Sequence, residues 1–427
     1  MGNGRGGLSV GFVSTRFAGT DGVSLESAKW AEILSRHGHR SFWFAGELDR
    51  PEAESMLVPT AFFNYPEVAA LQEKLFGTGR RDRATTDLIY EIKEFLKGRL
   101  YEFVDRFGID LLIPQNAVAI PMHVPLGLAI TELIAETEIP TIAHHHDFFW
   151  ERPRFLLNAI GDILQAAFPP DLPSIEHVVI NSMIQRELAS RRGLSSSVAY
   201  NTLDFDAQRE PFDDFNRDFR EEFGFKEDDI LILQPTRVIS RKGIEQAIYL
   251  VKRLELPHVK LLISHSAGDE GDDYLTWITD TARDQGIEIH LLYNRLNDTR
   301  KFTESGEKLY SLWDVYPHAD LVTYPSLYEG FGNAFLEAVY FRKPLLVNRY
   351  SVYIVDIEPR GFDVIAIDGF LTNRAVAQVR EVLENPERRK KMGDHNYEVA
   401  RRFFSYDVTD QTLAAIIRRM FGSAVMW

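Results

Sequence analysis

Cysteine is absent from the 427 residues of this sequence. Disulfide bonds, catalytic thiolates, zinc sites with cysteine ligands and cysteine-bound iron–sulfur clusters are therefore excluded. The absence does not by itself indicate a cellular compartment.

Long uninterrupted apolar runs are also lacking. The longest apolar stretch, residues 111–130, is broken by Pro114, Pro121 and Pro125, so it does not read as a membrane-spanning helix. Near the N-terminus, the apolar run at residues 8–13 is too short for the core of a signal peptide. We therefore expect a cytoplasmic protein without an integral membrane segment.

Positive charge is in the minority. Lys and Arg number 48 against 63 Asp and Glu, which gives a formal net charge of −15. This charge argues against a chain-wide attraction to nucleic acid or to anionic membranes, and we expect neither as a partner. With 45% hydrophobic and 26% charged residues the composition is typical of a globular protein, and the length suggests two or three domains.

Short apolar segments alternate with amphipathic ones along the chain. The predicted strands lie at residues 10–13, 41–44, 110–113, 141–143, 177–180, 230–233, 260–263, 288–292, 319–323 and 344–347. Segments with helical spacing lie between them, such as 23–37 and 87–107. On the second of these we expect one apolar face made of Leu88, Ile92, Phe95, Leu96, Phe103 and Val104.

This alternation predicts an α/β protein with two Rossmann-like, doubly wound parallel sheets. The rhythm pauses near residues 198–205, so we expect an N-terminal domain at 1–203 and a C-terminal domain at 204–404. A last helical segment, within 405–427, follows the second domain. Such domains bind ligands at the carboxyl ends of their strands, and we expect the site in a cleft between the two.

A glycine pattern of the dinucleotide-binding type occurs at Gly2, Gly4 and Gly7. It precedes the first predicted strand instead of following one, so the context that such a loop needs is missing. We interpret it as part of an N-terminal tail.

The most informative run in the second half is Glu329-Gly-Phe-Gly332, between a strand that ends at Thr323 and a helix that begins near Asn333. Gly330 and Gly332 let the backbone approach a ligand closely, and the free N–H groups of the helix start suit a phosphate. Glu337, one to two turns into that helix, is placed to reach a ribose diol. The alternative is an ordinary strand-to-helix turn with two solvated glutamates.

Two cations follow the strand at 230–233. Arg237 and Lys242 lie just past its carboxyl end, before a helix that opens at Ile244. Two fixed cations beside a helix N-terminus suit a nucleotide diphosphate as it becomes a leaving group. The alternative is a cation pair on a surface loop.

Three consecutive histidines, residues 144–146, end the predicted strand at 141–143. Neighbouring side chains on an extended chain point to opposite faces, so the three do not suit a single metal ion. At least one should face the cleft and donate a hydrogen bond to a substrate, while the others are structural. The following aromatic residues, 148–150, suit either a sugar platform or the edge of the core.

With these motifs the chain resembles the family-4 retaining glycosyltransferases of the two-domain GT-B type. Glu329 and Glu337 resemble the E-x7-E signature of that family, and Arg237 with Lys242 and Gly243 resembles its Arg…Lys-Gly diphosphate motif. Residues 20–24 resemble the glycine loop of its first domain, with Asp21-Gly22 where paired glycines are common. The likeness runs nearly end to end and includes the final helix, which in such folds packs back on the first domain.

The resemblance implies a role for each matching residue. Glu329 would hold hydroxyls of the donor sugar, Glu337 the ribose, and Arg237 and Lys242 the diphosphate. His145 or His146 would contact the donor sugar, with His146 favoured. Further donor contacts would come from Gly330, Phe331, Gly332, Asn333 and Ala334, with Asn294 and Arg295 as weaker candidates near the base. The choice of acceptor does not follow from the resemblance. We expect the acceptor side to include Arg16, Asp21, Gly22 and Val23, with Arg16 and Arg152 as candidate contacts for an anionic acceptor.

Our hypothesis is therefore a hexosyltransferase that moves glucose or mannose from a UDP-, GDP- or ADP-hexose to a small soluble acceptor, such as a sugar, sugar phosphate or sugar acid. No double-displacement nucleophile stands out, so we expect retention by a front-face reaction. Asp272 and Asp273 lie in a polar loop without other spaced ligands, and we expect no metal requirement and no cofactor besides the sugar nucleotide. The oligomeric state, including a homodimer, is left open.

Three alternatives stay open at this point. A retaining disaccharide phosphorylase of the same fold would use the same cations for inorganic phosphate. A nucleotide-sugar epimerase would turn over the donor alone. A non-catalytic sugar-binding module would have no need for Arg237, Lys242, Glu329 and Glu337 together.

Overall fold

The computed structural model of the protein describes residues 7–19, 21–207, 210–267, 271–422, 425 and 427. The chain divides into two compact units, Met1–Tyr200 with Tyr406–Trp427, and Asn201–Ser405. Gly2 and Gly4 of the glycine pattern, and Thr20 of the first-domain loop, lie outside the described residues.

The first unit is built on a seven-stranded parallel sheet. The strands of this unit are β1 (Ser9–Val13), β2 (Arg16–Phe17), β3 (Arg40–Ala45), β4 (Glu47–Leu48), β5 (Ser55–Leu57), β6 (Leu111–Pro114), β7 (Thr141–His145), β8 (Ile175–Val179) and β9 (Ser197–Val198). The main sheet has the order β5-β3-β1-β6-β7-β8-β9, and β2 pairs with β4 in a short separate ladder.

Within the described part of this unit, seven α-helices lie between these strands. They are α1 (Gly22–Arg36), α2 (Pro66–Leu75), α3 (Arg83–Phe107), α4 (Val124–Thr137), α5 (Pro153–Leu156), α6 (Gly161–Ala167) and α7 (Ser182–Arg192). Successive residues of β1 face opposite sides of the sheet: Phe12 joins the core that includes Trp30 of α1, and Val13 joins the core that includes Leu96 of α3. The sheet is therefore covered by helices on both faces, which is why its strands are nearly continuous apolar runs.

The second unit repeats this architecture with a six-stranded parallel sheet. Its strands are β10 (Ile230–Gln234), β11 (Val259–Ile263), β12 (Ile289–Leu291), β13 (Lys301–Phe302), β14 (Lys308–Leu309), β15 (Leu321–Tyr324), β16 (Leu345–Asn348) and β17 (Ile365–Ile367). The sheet order is β12-β11-β10-β15-β16-β17, and β13 and β14 form a separate antiparallel hairpin.

The helices of the second unit are α8 (Phe219–Glu222), α9 (Ile244–Leu254), α10 (Asp273–Gln285), α11 (Leu312–Val315), α12 (Asn333–Tyr340), α13 (Asn373–Glu384) and α14 (Pro386–Phe404). The last helix, α15 (Tyr406–Phe421), belongs to the first unit, where its Leu413 and Ile417 share a core with Trp30. The predicted α/β class with two doubly wound parallel sheets is confirmed. Among the described residues, no helix is both long and apolar enough to cross a membrane.

One part of the predicted apolar face on α3 is wrong. Ile92, Leu96 and Phe103 are buried, but Phe95 is 51% exposed. Ile89 and Leu100 are buried instead, so the buried face lies slightly to one side of the predicted one. The helix also begins one turn earlier than expected, because the side chain of Asp82 accepts a hydrogen bond from the backbone N–H of Thr85.

Candidate active site

The two informative motifs of the second unit leave neighbouring strands, β10 and β15, at their carboxyl ends. From β10 the sheet continues through β11 and β12 on one side, and from β15 it continues through β16 and β17 on the other. This is the point at which the strand order reverses, where open α/β sheets form a binding crevice.

The loop after β10 ends in a short 3-10 turn, Ser240–Lys242, before α9 begins. Gly243 follows that turn with φ of 61°, a left-handed conformation that favours glycine. A Cβ atom at this position would lie 2.6 Å from the carbonyl oxygen of Pro325. The glycine of the Lys-Gly pair therefore allows the two motif loops to pack against each other, and Leu327 N–H donates to the Arg241 carbonyl at 2.8 Å.

The loop after β15 turns sharply into α12 at Gly332, whose φ is 122°. A Cβ atom there would lie 2.6 Å from the hydroxyl of Tyr350, and that hydroxyl donates to the Phe331 carbonyl at 2.7 Å. Helix α12 starts at Asn333 as predicted, and the residue before it, Gly332, has no side chain that could cap the helix. The N–H of Phe335 donates to the Gly332 carbonyl at 3.0 Å, and N–H groups at such a helix start can bind an anion.

Lys242 and Glu329 meet in the space between these loops. The ammonium group of Lys242 forms an ion pair with Oε1 of Glu329, and Nη1 of Arg241 lies 3.7 Å from Oε2. Both members of the pair are buried, at 8% exposure each. Burial lowers the pKa of Lys242, Glu329 opposes that shift, and the nearby charges of Arg241 and Arg237 add to it.

The charges around Glu329 therefore belong to one cluster of three cations, Arg237, Arg241 and Lys242. Arg237 is the exposed member. Such a cluster can neutralise a diphosphate, and the carboxylate beside it can accept hydrogen bonds from sugar hydroxyls. Sequence reasoning had named Arg237, Lys242 and Glu329 separately, and the structure brings them together.

Glu337 lies on α12, one turn after Asn333. Its Oε2 accepts a hydrogen bond from the hydroxyl of Tyr316 at 2.9 Å. Burial first, and then the charge of Glu337, raise the pKa of Tyr316. Tyr316 therefore remains a donor, and it orients the carboxylate of Glu337.

Arg295 and Asn294, the weaker candidates near the base, follow β12. Arg295 donates from Nη2 to Glu222 at 2.9 Å and from Nε to the Lys308 carbonyl at 3.1 Å, and its guanidinium lies over the ring of Phe223. These contacts connect the hairpin to α8 and give Arg295 a structural role. Asn294 is exposed.

His265 was missed by the sequence reasoning. It follows β11, the neighbour of β10, and its Nδ1 lies 2.6 Å from the hydroxyl of Ser264. Desolvation lowers the pKa of His265, and the positive charges of Arg237 and Lys242 lower it further. The ring therefore lies close enough to both cations to be affected by their charge. Like Arg237, His265 lies just past the carboxyl end of a strand, and this position in the sequence could have identified it.

In the first unit the three histidines have different surroundings. The ring of His144 is fully buried, stacks on Trp30 at 4.0 Å, and has Nδ1 2.9 Å from Oε1 of Gln115. The ring of His145 is also fully buried, with Nε2 2.9 Å from Nδ1 of His177. The ring is held by groups of the first unit and does not reach the surface, and the assignment of His145 as a substrate contact stays a prediction.

His146 is the histidine of the three that is partly exposed. Its backbone N–H donates to Oδ1 of Asn116 at 3.0 Å, and its Nε2 lies 3.3 Å from Oε1 of Gln115. Burial lowers the pKa of His146 to about 4, although the negative charges of Asp147 and Asp21 oppose the shift. The imidazole is thus neutral near pH 7 and able to donate or accept a hydrogen bond.

The predicted acceptor residues lie close to His146. Asp21 caps α1: its Oδ1 accepts from the N–H groups of Val23 at 3.0 Å and Ser24 at 3.2 Å, while Oδ2 lies 3.3 Å from Nε of Arg16. Gly22 is the first residue of that helix, and a Cβ atom there would meet nothing within 4 Å. Internal packing therefore does not require this glycine, which leaves room for a ligand.

Asp147 connects His146 to the remaining anion candidate. Its Oδ1 accepts from Nδ2 of Asn116 at 2.9 Å, and its Oδ2 pairs with Nε of Arg152. Phe148 is fully buried and stacks on Trp150 at 4.4 Å, so of the two interpretations of residues 148–150 the core edge holds for Phe148.

No group of three or more histidine, aspartate or glutamate side chains able to hold a metal ion occurs within the part of the chain that the structure describes. Helix α10 begins at Asp273, and Asp272 is the residue just before it.

The chain is similar to known glycosyltransferases in sequence and in fold. Residues 215–399 match the family model for glycosyl transferases group 1. The chain is 33% identical over 387 residues to a mannosylglucosylglycerate synthase of Petrotoga mobilis, covering 84% of this chain and 86% of that protein. It is 30% identical, over an alignment of 441 positions, to the mannosylglucosylglycerate synthase of Thermotoga maritima, covering 95% and 99%.

Among solved structures, the crystal structure of Anabaena HepE in complex with UDP-glucose superimposes with a TM-score of 0.64 at 12% identity. The match covers 96% of this chain and 100% of that chain. At this identity the likeness concerns the fold, which is the GT-B arrangement of two Rossmann-like domains.

Proposed function

This chain belongs to the group 1 glycosyltransferases and catalyses glycosyl transfer, and we propose that it moves a hexosyl unit from a nucleotide-diphosphate sugar to a small acidic carbohydrate acceptor. The observation that carries the proposal is the cluster of Arg237, Arg241 and Lys242 around Glu329 where the strand order reverses. That cluster supplies positive charge for a diphosphate and a carboxylate for sugar hydroxyls at one place.

The names of the two relatives support a narrower substrate pair. Both are mannosylglucosylglycerate synthases, and their product name combines mannose, glucose and glycerate. We propose that this chain transfers a mannosyl unit to glucosylglycerate. An acidic acceptor also suits the guanidinium groups of Arg16 and Arg152, which flank Asp21 and Asp147 near His146.

On the donor side, Arg237 and Lys242 would hold the diphosphate and the first N–H groups of α12 would add to the positive field. Glu329 would accept hydrogen bonds from the sugar, with the backbone of residues 330–334 beside it. Glu337, oriented by Tyr316, would hold the ribose. His146 would donate a hydrogen bond to the transferred sugar.

For the chemical step we propose retention of the anomeric configuration. The bond between the anomeric carbon and the leaving phosphate oxygen breaks while the acceptor oxygen attacks from the same face, and the leaving phosphate oxygen takes the acceptor proton. Arg237, Lys242 and the N-terminus of α12 would stabilise the charge that develops on the diphosphate. Because cations of the chain can supply this charge, we propose that no metal ion is required.

A product assay tests the proposal. The protein is incubated with glucosylglycerate and, in separate reactions, with the GDP-, UDP- and ADP-linked forms of mannose and glucose. We expect a glycosylated glycerate product with at least one mannosyl donor, in stoichiometric amount with released nucleoside diphosphate. Release of sugar 1-phosphate from a disaccharide without nucleotide, or turnover of the donor alone to an epimer, would instead identify a phosphorylase or an epimerase.

A further inference from the structure

A second charged site lies in the second unit, at the amino-terminal ends of β15 and β16. It is a cavity of about 400 Å³ whose walls include Asp320 and Pro344, the residues that precede those strands. Five cationic side chains line it: Arg220, Arg342, Lys343, Arg389 and Lys390. The carboxylates in its wall are those of Asp320 and Asp394, so the cavity carries an excess of three positive charges in a protein whose net charge is −15.

Each of the two carboxylates is already shared between two cations. Asp320 lies 3.1 Å from Nη1 of Arg389 and 3.6 Å from Nη2 of Arg220. Asp394 lies 3.2 Å from Nε of Arg342 and 2.5 Å from Nζ of Lys390. The two carboxylates therefore pair with four of the five cations, and no described carboxylate pairs with the fifth.

The fifth cation is Lys343. Its Nζ donates a hydrogen bond to the carbonyl of Pro317 at 2.7 Å, and no carboxylate among the described residues lies within ion-pair distance. Burial lowers the pKa of Lys343 to about 8, and the charges of Arg389 and Arg220 act in the same direction while Asp320 opposes them. A desolvated ammonium group with a single carbonyl partner gains free energy when an anion approaches.

We propose that this cavity binds a small phosphate-bearing anion. A phosphate group carries up to two negative charges and several acceptor oxygens, which match the excess of cations and the forked guanidinium groups of Arg342 and Arg389. The volume lies within the usual range for small-molecule pockets, so either an inorganic phosphate or a phosphorylated sugar fits.

The cavity is separate from the candidate active site. Glu329 follows the carboxyl end of β15, whereas Asp320 precedes its amino end, so the two sites lie at opposite edges of the sheet. Helix α12 connects them, because it begins beside Gly332 and ends just before Arg342 and Lys343. The proposal therefore does not depend on the assignment of the donor site.

Calorimetric titration tests the proposal in a variant that lacks two donor-site cations, Arg237→Ala/Lys242→Ala. Orthophosphate, pyrophosphate and glucose 6-phosphate are titrated separately at constant ionic strength. We expect one saturable site per chain for at least one of them. Stronger binding of glucose 6-phosphate than of orthophosphate would indicate an organic phosphate as the occupant, and the reverse order would indicate the inorganic ion.

Two further substitutions, each added to that variant, locate the binding. Lys343→Met and Arg389→Gln should each weaken binding at least tenfold, about 1.4 kcal/mol, whereas Lys252→Met on the exposed face of α9 should not. Circular dichroism verifies folding, and if one substitution prevents folding the other decides. The absence of saturable binding for all three anions, or binding that neither substitution weakens, would overturn the proposal.

Discussion

The ammonium group of Lys242 and the carboxylate of Glu329 form a buried ion pair, although 87 residues separate them in the sequence. The family resemblance assigns one to the donor diphosphate and the other to the donor sugar. A diphosphate bound at this loop would therefore compete with Glu329 for the same ammonium group. Binding and folding would then be linked through this pair, and its variants should affect both.

The coupling between Lys242 and Glu329 should be visible in stability. Lys242→Met and Glu329→Gln should each destabilise the fold by about 1–3 kcal/mol, because each leaves a buried charge without its main partner. The double variant should lose at least about 1 kcal/mol less than the sum of the two. Urea unfolding of the four proteins measures this coupling.

The exposed pair Arg191–Glu187 is a matched control, since its side chains are 53% and 46% exposed and its coupling should stay below about 0.5 kcal/mol. Additive effects of Lys242→Met and Glu329→Gln would contradict the inferred pair.

Substitution of Glu337 should weaken donor binding more than it slows the reaction. Glu337→Ala should raise the KM for the donor about 10- to 100-fold with little change in kcat, because contacts to a ribose remote from the reacting carbon stabilise ground state and transition state alike. Tyr316→Phe removes the hydrogen bond that orients the carboxylate and should have a smaller effect in the same direction.

Steady-state kinetics with varied donor measures both variants. Glu381→Ala, at an exposed position of α13, should leave KM and kcat as they are. A fall in kcat at constant KM for Glu337→Ala would place this residue at the reacting centre instead of at the ribose.

His145 and His146 should separate stability from activity. His146→Ala should lower kcat about 10- to 100-fold with a small change in stability, since its ring is partly exposed and is proposed to donate one hydrogen bond to the sugar. His145→Ala should destabilise the fold by about 2–4 kcal/mol, because it opens a cavity and leaves Nδ1 of His177 without its partner. Steady-state kinetics and urea unfolding of both variants measure these effects. A normal kcat in His146→Ala would show that His146 is not part of the site.

Stability should fall as the pH drops from about 6.5 to 4, in part because of His123. Its Nδ1 accepts from the N–H of Leu126 at 3.1 Å, its Nε2 lies 2.8 Å from the Thr60 carbonyl, and burial lowers its pKa to about 4. Between pH 4 and 6.5 the unfolded chain binds the proton that the folded ring excludes, so the stability present above pH 6.5 is lost on acidification. This one histidine accounts for up to about 3 kcal/mol.

Urea unfolding at pH 7.5, 6.0 and 5.0 measures this loss. His123→Asn keeps an acceptor for the helix cap without a titrating ring, so its stability should depend less on pH than that of the unchanged protein. His395→Asn, at an exposed position, serves as the control and should retain the full dependence. An unchanged slope in His123→Asn would exclude His123 as a source.

Removal of divalent metal ions should leave transfer activity intact. The proposed donor site relies on Arg237, Lys242 and the N-terminus of α12 for positive charge. Assays after dialysis against a chelator, with and without added magnesium, measure this. Activity that disappears on chelation and returns with magnesium would contradict the proposed mechanism.

Local pattern was enough to predict most of the sheet. Each of the ten strands expected from short apolar runs is present with boundaries shifted by a few residues, and the helices that follow the two motif loops start at Ile244 and Asn333 as expected. Strand and helix starts of this kind depend on alternation, glycine positions and turn chemistry, which lie within a few residues of one another. The short strands β5, β9 and β17 of the two sheets went unnoticed because two or three residues carry too little pattern.

Burial was harder to predict than secondary structure. Phe95 continues the apolar pattern of α3 but is exposed, because the position of a helix over its sheet is set by the partners that cover it. The same limit applied to His145 and His146. Alternation showed that neighbours face opposite ways, and only the surrounding groups, such as His177 and Gln115, decide which ring is buried.

By itself, the sequence determined the fold class, the order of the elements and the residue types that the family motifs require, since these follow from local periodicity and spacing. The tertiary structure decided which of those residues meet. It placed β10 beside β15, and so Lys242 against Glu329, brought His265 to the same charges, and set Arg342, Lys343 and Arg389 around a cavity at the opposite edge of the sheet. Such neighbours depend on strand order and helix packing between distant segments, which local spacing does not encode.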